Sequence, residues 1–341
     1  MLMGTTMGHV SHVMQRYVRR RVSGYSLIEL LVVLVIVVVL LALLLASLKA
    51  ARERAREVVC AATLRQIGMA ALLYVEESKG WLVGSPNTSG NGARPGFAAG
   101  DYTDTVNPQH YPALHIFDWA SPLLPKMGIK PPADTKDRYR AAVEGAMQCP
   151  SNLRLTGPVD FPAMKKVVPD NVLAPSYATS RFFLYVSEAN RTGSTRGTLW
   201  WWERCIPGYY LPRMDRLRRP ASKVMLADAH VVSKTQGQIA NANWGFASQG
   251  AWRCDEKDPG PVVYRGTFLR EEIWRHRGAI NILAYDGHVE KQRESRDQDG
   301  LERFSALGTD ARMATWWFPS GTNTKDLPSR RASSEPAMVV P

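Results

Sequence analysis

The sequence predicts an α+β fold: a long N-terminal helix, its first half transmembrane, packed against an exterior antiparallel β-sheet domain. Three observations lead there. Residues 30–48 are nineteen in a row without a charge, with Ser47 the one polar member. Val58, Ala61, Leu64, Ile67, Ala71 and Val75 then recur at three- and four-residue spacing, as one stripe on a helix does. Beyond them come short apolar runs set apart by turn-forming residues, with no long helical pattern between.

The apolar run meets the length a bilayer asks of a helix, about 20 residues rising ~1.5 Å each. A core helix is rarely apolar on every side for so long. No proline interrupts the chain from there to Pro86, and Gly80 is a plausible stop, so a single helix is expected over 26–79. Arg16, Arg19, Arg20 and Arg21 precede the run, but Lys49, Arg52, Arg54 and Arg56 follow it. The positive-inside rule therefore does not choose an orientation. Glu29 is an acid at the start of an apolar helix, an expensive placement that by default marks a function.

In the exterior part, strands are expected at 176–186, 198–204, 224–229, 262–268, 279–285 and 288–292. Residues 84–110 read as a loop, 131–170 are Pro-rich and weakly patterned, and the polar tail at 319–341 is expected to be disordered. The expected divisions are 1–24, 25–48 in the membrane, 49–80 as the exterior half of the helix, 81–318 as the β-rich domain, and the tail.

The formal net charge of +12 permits contact with anionic lipid, polysaccharide or nucleic acid without selecting one. Residues 1–24 hold four arginines and no acid, so the rest stays near +8. The cluster Arg213, Arg216, Arg218 and Arg219 lacks interleaved aromatics and reads as a solvated loop, so no nucleic-acid partner is expected. Trp200, Trp201 and Trp202 alternate faces if they lie on a strand and read as core with partial exposure. Cys60, Cys149, Cys205 and Cys254 are far apart and form no C-x-x-C, so zinc-type spacing is absent. An even count outside the cytoplasm favours disulfides, and four cysteines allow three pairings.

Tyr285-Asp286-Gly287-His288-Val289 reads as a hairpin around a two-residue type I′ turn. Asp286, His288 and His276 could instead gather around a metal, and Asp228-Ala229-His230 repeats the D-x-H spacing. The structural reading is preferred: His276 orients the hairpin by a hydrogen bond, and Gly287 supplies a positive φ. There is no Gly-rich phosphate loop, no G-x-S-x-G elbow and no H-E-x-x-H, so neither an enzyme nor a cofactor or metal is expected.

Gly24-Tyr25-Ser26-Leu27-Ile28-Glu29-Leu30, with its basic flank and apolar run, resembles the cleavage and methylation site of the type IV prepilin class, which includes the pseudopilins of type II secretion. The resemblance implies cleavage between Gly24 and Tyr25 by a prepilin peptidase, with N-methylation of Tyr25. The class usually has Phe where this chain has Tyr25. Glu29 falls at the fifth mature position, where the class has an acid that pairs with a neighbouring subunit's N-terminal amine. It also implies orientation: the leader 1–24 in the cytoplasm, a single pass through the inner (cytoplasmic) membrane, and a pilin-like domain in the periplasm or outside the cell.

Further patches resemble a prepilin-like family of planctomycete-type bacteria that carries a C-terminal His, nine residues, Asp-Gly pattern. They are Cys60-Ala-Ala-Thr-Leu64-Arg65-Gln66-Ile67-Gly68, Cys149-Pro150-Ser151, Pro175-Ser176-Tyr177-Ala178, the run from Pro220 through Lys223 to Asp228, and His276 with Asp286-Gly287. Because Cys60 and Cys149 lie in such patches, they are expected to pair, leaving Cys205 with Cys254. The implied function is a structural subunit that assembles with sister pilin-like subunits and secretion or pilus machinery, in a type II secretion-like pseudopilus or type IV pilus-like filament. The alternative is a membrane-anchored exterior module that binds polysaccharide or DNA and does not polymerise.

Overall fold

The computed structural model describes residues 26–85, 118–152, 172–173, 175–180, 183–184, 206–228, 232–235, 238–241, 247–248, 275–293, 319–322 and 339–340. By its contacts the chain divides into two compact units, 1–50 and 51–341. The strand expectations at 198–204 and 262–268 lie outside the described residues, as do Trp200, Trp201 and Trp202.

Helix α1, Leu27–Glu77, begins with a reciprocal cap. The Ser26 amide donates to Glu29 Oε2 at 2.8 Å, and the Glu29 amide donates to Ser26 Oγ at 3.3 Å. That is a capping box: two amides that no helical turn can satisfy are served by two side chains three residues apart. The helix ends on a Schellman turn. The Gly80 amide reaches back to the Val75 carbonyl, 2.8 Å, and the Lys79 amide to the Glu76 carbonyl, 3.3 Å. Lys79 is the first left-handed residue here, with φ 54°, and Gly80 follows with φ 87°. The stop therefore falls one residue ahead of the glycine.

In the first unit, α1 buries no residue from 27 to 49. Leu, Val and Ile cover every side, and the most apolar 18-residue window has mean hydropathy 3.5. Apolar surface of this extent has no favourable place in water. The helix is long and apolar enough to cross a membrane.

In the second unit, α1 buries Cys60, Thr63, Leu64, Ile67, Gly68, Ala70, Ala71, Tyr74 and Val75. The expected stripe is thus present but rotated at its start: Val58 is 67% exposed, and Cys60 takes the core position. A short helix α2, Thr135–Arg140, is capped by Asp134, whose side chain accepts the Asp137 amide at 3.0 Å. That bond holds the Asp134 carboxyl below its usual range.

The strands are β1 Tyr177–Ser180, β2 Val224–Asp228, β3 Val232–Thr235, β4 Gln238–Asn241, β5 Ala247–Ser248, β6 Ala279–Ala284 and β7 Val289–Arg293. One sheet has the order β5-β1-β2-β6-β7, and β3 pairs with β4 separately. The pairs β1–β2, β2–β6 and β6–β7 are antiparallel, while the two-residue β5 adds to β1 in parallel. The fold is mixed α+β, as expected, with a parallel edge that was not. Every residue of β1, β2 and β6 is buried, so both faces of the central sheet are covered. β7 is the half-exposed side, and its Lys291 forms an ion pair with Glu57 of α1. One close approach fixes the distance of sheet from helix: a Cβ built on Gly68 would lie 2.9 Å from Leu283 Cδ1.

Two expectations need correction. The loop joining β6 and β7 is not a type I′ turn. The Gly287 amide donates to the Ala284 carbonyl at 3.0 Å, and the Ala284 amide to the His288 carbonyl at 2.9 Å. Gly287 has φ 91°, while Asp286 is not among the positive-φ residues. This is a three-residue loop, a type I turn closed by a left-handed glycine. Asp286 acts from its side chain: Oδ1 accepts the His288 amide at 3.1 Å. The tail also departs from disorder where it is described. The Gly321 amide donates to the Val340 carbonyl and the Val340 amide to the Thr322 carbonyl, and Val340 is buried. Val340 gives a mostly polar tail something to bury, while Val339 stays 64% exposed.

Candidate functional site: the N-terminal motif and a buried polar cluster

Gly24 and Tyr25 lie outside the described residues. The described chain starts at Ser26, where the capping box engages Glu29. The Glu29 carboxylate thus has a partner within its own helix, one turn from where a new N-terminus at Tyr25 would stand. This S-x-x-E pattern before an apolar run is a standard helix-start signal, and reading Glu29 only as an acid in lipid overlooked it.

The second feature lies deep in the larger unit. Four segments distant in sequence converge: α1 brings Glu53 and Cys60, the loop after α2 brings Cys149 and Ser151, the end of β2 brings Asp228, and the entry to β6 brings Arg275 and His276. Cys60 and Cys149 are joined by a disulfide, with their Cα atoms 5.1 Å apart. Their burial is complete. Ser176, just before β1, organises the loop: its Oγ accepts the Cys149 amide at 2.9 Å and the Asn152 side-chain amide at 3.0 Å. Arg275 donates to the Ser176 carbonyl at 2.6 Å, and Tyr177 donates from its hydroxyl to the Cys60 carbonyl at 3.4 Å.

His276 sits at the centre and is fully buried. Its Nδ1 lies 3.3 Å from Glu53 Oε1, which also accepts the Ser151 hydroxyl at 2.7 Å. Its Nε2 lies 3.4 Å from Asp228 Oδ2 and 3.5 Å from Cys149 Sγ. Asp228 Oδ2 accepts the Asn281 amide at 2.7 Å, while buried Oδ1 has no hydrogen-bond partner among the described residues. Burial pushes the Asp228 carboxyl above its usual range, against the pull of Arg275 and His276. Burial likewise depresses Arg275 and raises Tyr177.

The expected site residues therefore sort as follows. His276 does not orient the hairpin through its ring; the ring nitrogens face Glu53, Asp228 and Cys149. Its backbone amide holds the strand entry instead, donating to the Ala279 carbonyl at 3.2 Å. Asp286 and His288 pair with each other at the exposed hairpin, apart from that cluster. Cys205 and Cys254, and His230, lie outside the described residues. Of the arginine cluster, Arg213 and Arg216 are paired with Asp215, and Arg213 and Arg218 stack on Trp81 and Tyr209. Glu53, Asp228 and Arg275 are the members that the sequence reading did not put together. The apolar run ending in an acid at Asp228 was the available signal.

A family model described as a prokaryotic N-terminal methylation motif matches residues 19–45. That stretch covers Arg19, Arg20 and Arg21 of the basic flank, Gly24, Glu29 and most of the apolar run. No curated protein and no solved structure matches the chain. The motif supports a type IV pilin-like or pseudopilin subunit and so points to a structural role. It also implies processing by a prepilin peptidase and pilin-type assembly partners. With the one membrane-length apolar helix among the described residues, it fits a membrane-anchored protein.

Proposed function

We propose that this chain is a prepilin-like subunit, cut between Gly24 and Tyr25 and N-methylated at Tyr25, which assembles into a type II secretion-like pseudopilus or type IV pilus-like filament. One observation carries the reading: the methylation-motif match over 19–45 coincides with a helix that is apolar on all sides and buried nowhere from 27 to 49. A surface like that is completed by lipid before assembly and by sister helices after it. The leader stays in the cytoplasm, the helix spans the inner membrane, and the larger unit stands in the periplasm or outside the cell.

In this reading Glu29 serves assembly. In a single chain it caps its own helix through the Ser26 amide. Cleavage creates a positive amine at Tyr25, and a neighbour shifted along the axis can offer that amine to Glu29. Pairing offsets part of the desolvation cost of both charges. His276, Asp286 and Gly287 serve the fold of the larger unit, and a Cys205–Cys254 bridge completes its covalent frame. The test is mass spectrometry of the mature N-terminus together with cross-linking in cells. An N-methylated Tyr25 terminus and ladders of cross-linked subunits support the reading. A processed protein that stays monomeric at every expression level turns it toward a membrane-anchored binding module.

A further inference from the structure

We infer that the cluster around His276 is a zinc site whose two sulfur ligands the disulfide holds closed, so that the reduced protein binds one zinc ion through Cys60, Cys149, Asp228 and His276. One ligand atom from each of these buried residues lies within 4.8 Å of all the others. The donor set is two thiolates, an imidazole and a carboxylate, which suits tetrahedral zinc and does not suit calcium or magnesium, whose ligands are oxygens.

The distances agree with that geometry. Zinc bonds of about 2.0–2.3 Å place neighbouring tetrahedral ligands roughly 3.3–3.8 Å apart. His276 Nε2 already stands 3.4 Å from Asp228 Oδ2 and 3.5 Å from Cys149 Sγ. Two changes are required: loss of the covalent bond lets the two sulfurs part, and pairs that now span up to 4.8 Å close to that spacing.

The other partners are those of a metal-binding histidine. In the tautomer whose Nδ1–H donates to Glu53 Oε1, 3.3 Å away, the Nε2 lone pair faces the cluster. A carboxylate in that position fixes the tautomer and raises ligand basicity in zinc proteins generally. The same tautomer has a second consequence. With its proton on Nδ1, His276 presents a lone pair to a buried carboxylate, and Asp228 Oδ1 has no hydrogen-bond partner among the described residues. Two facing acceptors repel each other unless a cation or a proton comes between them.

The chemistry closes without unnamed reagents. A dithiol reductant supplies two electrons and two protons to the Cys60–Cys149 bond and is itself left as a disulfide; both cysteines become thiols. Zinc then displaces the two thiol protons to solvent. All four positions are filled by protein and all four donors are buried, so the site is structural and leaves no place for substrate water. Either state ties α1 to the loop at Cys149. The absence of C-x-x-C from the sequence is no obstacle, because the ligands come from four separate segments.

The test uses the full chain in detergent micelles. Oxidised protein and protein reduced with a phosphine are each incubated with zinc, desalted and analysed for bound metal, and reduced protein is titrated with cobalt. The expected result is one zinc per reduced chain, none per oxidised chain, and the ligand-field and sulfur charge-transfer bands of tetrahedral cobalt. Glu53→Gln should weaken zinc about 10–100-fold while leaving the ligands in place. His276→Gln should weaken it further. Reduced wild-type protein that takes up no zinc, or gives an octahedral cobalt spectrum, overturns the inference. So does an affinity unchanged by Glu53→Gln and His276→Gln in variants that keep the wild-type far-ultraviolet dichroism.

Discussion

Leu283 of β6 lies directly over Gly68 of α1, so closely that a Cβ on Gly68 would stand 2.9 Å from Leu283 Cδ1. Leu283 is fully buried and has little room to withdraw. Gly68→Ala gains about 1 kcal/mol of helix propensity, which offsets part of the crowding, and should be close to neutral. Gly68→Val adds two further methyls against the sheet and should cost about 1–3 kcal/mol. Denaturant melts of the two variants check the pair, and a Gly68→Val protein as stable as wild type would show that helix and sheet are not this close.

Gly287 closes the β6–β7 loop with φ 91°. Gly287→Ala should cost about 1–2 kcal/mol, because a Cβ in the left-handed region meets the following carbonyl. Gly287→Asn should cost less, since asparagine tolerates that conformation. Thermal melts rank the three proteins, and equal costs for Ala and Asn would place the effect in packing instead.

The Cys60–Cys149 bridge spans 89 residues of sequence. In the chain-entropy account, a closed loop of that size contributes about 4–5 kcal/mol. Cys149→Ser, measured with a chelator present so that no metal substitutes for the bond, should lower stability by most of that amount. A loss under about 1 kcal/mol would mean that the denatured chain is already constrained there.

Lys223, at the start of β2, is completely buried, and burial lowers its ammonium to about 7 from 10.5. The folded protein therefore releases this proton at lower pH than the unfolded chain does. Stability should rise as pH goes from about 7 towards 10.5, where the unfolded state binds more protons. Lys223→Met should flatten that limb and raise stability below pH 7. Urea melts across this range measure the slope; a slope retained in Lys223→Met would assign it to another group.

The parts of the fold legible in the sequence are those governed by local periodicity. The helix over 27–77 followed from an apolar run and a 3.6-residue stripe, and β2 and β6 from continuous apolar runs that only a doubly covered strand would carry. The stripe still began in the wrong place. Val58 is as apolar as a core residue, and only the tertiary contact of Cys60 with the Cys149 loop shows which way the helix turns. At Asp286-Gly287 dipeptide preference pointed to a two-residue turn, but strand register and the Asp286 side chain select a three-residue one. The polar cluster was illegible for a plainer reason. Glu53 and His276 are 223 residues apart, and nothing local to either predicts a 3.3 Å contact. The N-terminal motif was legible because its chemistry is read by other proteins along the chain itself.

The Glu29 carboxylate bonds to the Ser26 amide in the single chain, and assembly is expected to recruit it. Glu29→Gln keeps a capping acceptor but removes the charge, whereas Glu29→Leu removes both. If assembly needs the charge, both variants should insert and be processed, and both should lose subunit cross-linking. If Gln assembles like wild type, the residue serves the helix start alone.

The account rests most directly on where the mature chain begins. Intact-mass and N-terminal peptide mass spectrometry of protein purified from membranes of a host that carries a prepilin peptidase measures this in one step. The predicted result is a chain that starts at Tyr25 and bears one additional methyl group on its α-amine. A chain that retains residues 1–24, or one cut after the apolar run near Ser47, would contradict it.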